Sequence, residues 1–145
     1  MDLALRIVLE NPPAGLTYGL QKGSGANYET VQTQLSNADD LHFELVIETK
    51  GERQKDKQPD FKGSFVQGPA LSRFIYIGIG AYAGHNGYFN GRLKIPLTGI
   101  TWDVIDQLGT SRSALGTHVP GVGKNGQPNC ATVKPFAGWQ VESSK

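Results

Sequence analysis

Leu41-His42-Phe43-Glu44-Leu45-Val46-Ile47-Glu48 is the stretch whose reading decides the fold. Leu41, Phe43, Leu45 and Ile47 fall on one side, and His42, Glu44, Val46 and Glu48 on the other. A period of two with one apolar and one mostly polar face specifies a β-strand laid on a core, its other side toward water. Leu3 to Glu10 repeats the pattern through Leu3, Leu5, Ile7 and Leu9. Pro12 and Pro13 then end it, because proline has no N–H to give a sheet ladder.

Further along, Phe74, Ile75, Tyr76, Ile77 and Ile79 put bulk on both faces of the segment Arg73 to Ala81, which predicts a central strand covered on both sides. Arg92 to Leu97 alternates again, with Leu93, Ile95 and Leu97 inward and Arg92 and Lys94 outward. Weaker strands are expected at Leu16 to Gln21, Tyr28 to Leu35 and Phe61 to Gln67, and short ones at Ala131 to Val133 and Trp139 to Val141. Two Asn-Gly pairs, Asn86-Gly87 and Asn90-Gly91, mark tight turns. Lys50 to Lys57 holds six charges and reads as a solvated loop, and Thr110 to Pro128 reads as a long loop. One helix is expected: Thr101 caps, Trp102 to Leu108 winds, Gly109 ends it, and Ile100 with Ile105 forms a hydrophobic staple. The 19 Gly and 8 Pro are spread along all 145 residues, so elements are short and turns frequent. The expectation is one domain over residues 1–145, a mostly antiparallel β-sandwich or open barrel of about seven to nine short strands with one short helix.

Lys and Arg number 14 against 13 Asp and Glu, a balance that argues against nucleic acid as a partner, since phosphate affinity needs clustered cations. The lone Cys130 allows no disulfide within the chain and points to a reducing, cytoplasmic setting. No apolar run approaches the roughly 18 residues of a membrane span, and Met1-Asp2-Leu3-Ala4-Leu5-Arg6 lacks the basic start of a signal peptide. No membrane partner and no cofactor are expected.

Several groupings invite a chemical reading. Gly78-Ile79-Gly80-Ala81-Tyr82-Ala83 superficially fits a dinucleotide fingerprint, but Gly84, Gly87 and Gly91 leave no room for the helix whose N-terminus would hold the pyrophosphate. His42 and Glu44 share a strand face and would need His85 or His118 to complete a metal site, yet no ligand-spaced cluster exists, so no metal is expected. Asp39 and Asp40 suit ordinary turn chemistry better than a carboxylate pair, and Cys130 with His118 lacks any recognised nucleophile signature. A different set fits a small-ligand pocket: Gln21, Gln67, Arg73 and Tyr76, in which neutral amides, a guanidinium and an aromatic at strand ends orient a small polar or carboxylated ligand. That makes a non-catalytic binding module the leading reading. Two alternatives stand beside it. One is a hydrolase or isomerase using His85 or His118 as general base, oriented by a carboxylate such as Asp40; the other is an interaction or homo-oligomeric module pairing through a strand edge. Catalytic residues and oligomeric state are left open.

Arg6-Ile7-Val8-Leu9-Glu10-Asn11-Pro12-Pro13-Ala14-Gly15 with Gly19-Leu20-Gln21, Phe65-Val66-Gln67-Gly68-Pro69 with Arg73-Phe74-Ile75-Tyr76, and Arg92-Leu93-Lys94-Ile95-Pro96-Leu97 before Ile100 together carry a resemblance. The chain resembles an uncharacterised bacterial family, domain-of-unknown-function family 5990. The resemblance implies a small, all-β bacterial protein and brings no reaction, ligand or catalytic residue with it.

Overall fold

A computed structural model describes residues 2–22, 29–50, 59–61, 74–80, 91–97, 99–108, 113–123, 136 and 138–143. The elements run β1 (Asp2–Glu10), β2 (Thr17–Lys22), β3 (Glu29–Leu35), β4 (Leu41–Lys50), β5 (Asp60–Phe61), β6 (Phe74–Ile79), β7 (Gly91–Pro96), α1 (Trp102–Asp106), β8 (Ser113–Pro120) and β9 (Gln140–Ser143). They form two sheets, one ordered β5-β4-β1-β8-β9 and the other β3-β2-β6-β7. The arrangement is sandwich-like, mostly β, and no closed barrel is formed.

The alternation read from the sequence sets the register. Leu5 pairs with Leu45 and Ile7 with Phe43 across the antiparallel β1–β4 ladder, so both apolar sets face the same way. In the other sheet Leu20 pairs with Ile77 and Ile77 with Leu93. These residues join Leu115, Val119, Ile95 and Trp139 in one buried cluster drawn from both sheets. Burial of that apolar surface, at roughly 25 cal/mol per Å², is what holds sheet to sheet. β6 is interior in its sheet, and its residues from Ile75 to Ile79 are all buried, as a strand with bulk on both faces requires.

Two side chains close the flanks of the sandwich. Gln34 of β3 donates from Nε2 to the carbonyl of His42 on β4 at 2.6 Å, and Trp139, just before β9, donates from Nε1 to the carbonyl of Pro96 on β7 at 3.0 Å. Each bond ties one sheet to the other, so β4 lies over β3 and β9 beside β7. The helix is as expected at its start: Thr101 Oγ1 accepts from the Val104 amide, and Ile100 and Ile105, both buried, supply the staple.

One expectation fails. The span Thr110 to Pro128 contains a strand, β8, paired parallel to β1 with Leu5 opposite Leu115 and Leu9 opposite Val119. Its inward set is Leu115, Thr117 and Val119, so a polar residue stands at a core position and breaks the apolar rhythm. Thr117 is buried, and its hydroxyl meets no hydrogen-bond partner among the described residues. The strands expected at Phe61 to Gln67 and Ala131 to Val133 lie outside the described residues, apart from Phe61 in β5. So does the charged run after Lys50, which itself ends β4.

Candidate functional site

The four-stranded sheet turns Tyr18, Leu20, Ile77, Leu93 and Ile95 to the core. Its opposite face is set by the intervening residues, and the registers place Gln21 beside Tyr76, Tyr76 beside Lys94, Gly19 beside Gly78 and Gly78 beside Arg92. Gln21 and Tyr76 are 2% and 4% exposed although they point away from the core. Exposure rises across the strands: Arg92 on β7 is half-buried and Lys94 is exposed.

A buried amide must be satisfied. Gln21 Nε2 donates to Thr30 Oγ1 at 3.3 Å, and Gln21 Oε1 accepts from Arg92 Nε at 3.1 Å. The second bond is geometrically demanding, because β2 and β7 lie on either side of β6, roughly 9–10 Å apart. Arg92 reaches over β6 to meet Gln21. Gly78 is the residue beside it there, and the absence of a side chain leaves the arginine stem room to cross. Phe74 and Tyr76 lie along the same strand face with ring centroids 6.3 Å apart, and Lys94 Nζ stands 5.9 Å from the Phe74 centroid, a cation–π distance.

Of the four residues expected to form a pocket, Gln21 and Tyr76 are therefore direct register neighbours on one sheet face. Gln67 and Arg73 lie outside the described residues, as do His85 and Cys130. Arg92 was read from sequence only as an outward residue; its link to Gln21 depends on the register of three strands, which no local pattern encodes.

A concave surface, about 320 Å³, lies against the five-stranded sheet and is lined by Arg6, Ile7, Val8, Gln32, His42, Phe43, Glu44 and Glu142. Arg6 Nε and Glu44 Oε2 are 3.0 Å apart in an exposed ion pair, worth about 1 kcal/mol or less. The two histidines of this sheet share one cross-strand row but stand on either side of Val8, which pairs with both His42 and His118. That places their backbones roughly 9–10 Å apart across the sheet. Among the described residues no cluster of three or more metal-ligating side chains occurs. The carboxylate facing His118 is that of Glu10, at 3.6 Å. Asp40 is engaged elsewhere, its Oδ1 accepting from the Asn11 amide, while Asn37 Oδ1 accepts from the Asp39 amide; both serve turns.

Residues 3–142 match the model of a family of unknown function, DUF5990. The chain belongs to that family. Gln21, Tyr76 and Arg92 all lie within the matched span of this DUF5990 chain. No curated protein and no solved structure matches it.

Proposed function

We propose that this DUF5990 chain is a single-domain, non-catalytic binding module that takes a small polar ligand on the outer face of its four-stranded sheet. The observation that carries the reading is the Gln21–Tyr76 pair: an amide and a phenol ring, side by side, buried on the face that does not pack the core, with Arg92 anchored to the amide. Ligand sites are concave places where a few fixed polar groups converge among aromatic surfaces. Here the polar groups are held by each other and by a rigid sheet, which gives orientation at small entropic cost. Gln67 and Arg73 belong to the proposal as further contributors.

Native mass spectrometry of the protein as purified, compared with its denatured mass, tests this. A small-molecule mass that leaves on denaturation, and whose retention is reduced in Gln21→Leu but not in a control such as Val46→Thr on the other sheet, is the expected result. A bare protein whose amide spectrum is also unmoved around Tyr76 by a library of small polar compounds would overturn it. A compound consumed rather than held would favour catalysis instead, and His118→Ala would then be the variant to assay.

A further inference from the structure

On the outer face of the five-stranded sheet, Glu44 of β4, Arg6 of β1 and Gly116 of β8 lie in one cross-strand row, Arg6 being the register partner of both others. Arg6 turns its Nε to Glu44, on the side away from β8. Glu142 of β9 fills the place this leaves: its carboxylate lies over Gly116, against the backbone, where a side chain on residue 116 would collide with it. Glu142 is half-buried there, yet among the described residues its carboxylate accepts no hydrogen bond and forms no ion pair. A carboxylate drawn in against a sheet has given up part of its water, which is unfavourable until a donor replaces it.

We propose that the concavity over this row is a second binding site, for a small organic cation, an amine or a guanidine, with Glu142 as its anchor. It is separate from the Gln21–Tyr76 face and does not rest on it. The concavity, about 320 Å³, is at the lower end of the range of small-ligand pockets. Arg6 and Glu44 cancel each other, so the described lining is left with one negative charge, that of Glu142. An anion would meet that charge unopposed, and a neutral ligand would leave it unmatched. A bare metal ion fits less well, because no three metal-ligating side chains converge among the described residues and part of the lining is apolar. The Gln32 side-chain carbonyl and the His42 ring also line the concavity and can accept from an ammonium or guanidinium. Neither side chain is bonded to another among the described residues. Gln34, two positions along β3, holds the His42 carbonyl and so keeps Gln32 beside β4. Val8 supplies apolar surface for the carbon body of the ligand.

The test is a titration of the full chain, ¹⁵N-labelled, with three probes: benzylammonium, its neutral twin benzyl alcohol, and calcium chloride. Benzylammonium is expected to shift the backbone amide signals of His42, Gly116 and Glu142, with benzyl alcohol about tenfold weaker. Glu142→Gln keeps the shape of the anchor and should weaken the amine about tenfold. Glu44→Gln should weaken it as well, because it releases Arg6 to compete for Glu142. Gly116→Ala, which lifts the carboxylate off the sheet without changing any charge, should weaken it about threefold. Glu48→Gln removes the same charge from the same face of β4 but outside the described lining, and should change binding by less than about twofold in physiological salt. Equal binding of alcohol and amine, or an equal loss in Glu48→Gln and Glu142→Gln, overturns the proposal. So does a stronger response of these amides to calcium than to benzylammonium, or their silence to benzylammonium. None of these outcomes bears on the four-stranded sheet, whose reading is judged by the mass of the purified protein and the response around Tyr76.

Discussion

The amide of Gly121 donates to the carbonyl of Glu10 at 2.8 Å, and a β-carbon on Gly121 would stand 2.8 Å from both that oxygen and Pro12 Cα. Main chain has nowhere to go. Gly121→Ala is therefore expected to lower stability by about 1–3 kcal/mol. Gly116 offers the contrast, because the group that a β-carbon would meet there is the carboxylate of Glu142, the end of a flexible side chain. Gly116→Ala should cost less than about 1 kcal/mol, the carboxylate swinging aside. Urea melts of the two variants, compared at equal slope, check the ranking.

Thr117 suggests a change in the opposite direction. Its hydroxyl is buried without a hydrogen-bond partner among the described residues, so Thr117→Val keeps the shape and removes the unsatisfied group. The expected gain is about 1 kcal/mol, seen as a rise of a few degrees in melting temperature by calorimetry. An unchanged or lower melting point would mean that the hydroxyl is satisfied.

Ile77 is fully buried in the interior strand β6, between Leu20 and Leu93. Ile77→Asp puts an unpaired charge there, and a loss of more than about 4 kcal/mol is expected, enough to abolish cooperative melting. A soluble, cooperatively melting variant would refute the core assignment.

Trp139 reports on the flank of the sandwich. Trp139→Phe keeps an aromatic ring near Phe136 but loses the bond to Pro96, for an expected cost of about 1 kcal/mol by denaturant titration.

How much of this was legible follows from where each residue gets its instructions. β4 and β1 announce themselves because their inward positions, apart from Thr49 at the end of β4, are all apolar, so the period of two survives in the sequence alone. The interior placement of β6 is readable for the same reason, from bulk on both faces. β8 is not, since Thr117 occupies an inward position and Gly116 an outward one, and both choices answer to neighbours distant in sequence, Ile7 for the first and Glu142 for the second. The candidate site divides likewise. Gln21 and Tyr76 were visible as residue types suited to a pocket, but Arg92 enters only once β2, β6 and β7 are in register, because its partner is on the far side of a strand between them.

The parallel pairing of β1 with β8 also bears on how the protein is made. As the chain leaves the ribosome, β4 arrives soon enough to cover one edge of β1, but the other edge waits for residues 113–120. Until β8 emerges the nascent chain therefore carries a strand with Leu3, Leu5, Ile7 and Leu9 sealed along a single side. A half-sealed apolar strand is the kind of surface that holding chaperones shield and that sister chains seize upon.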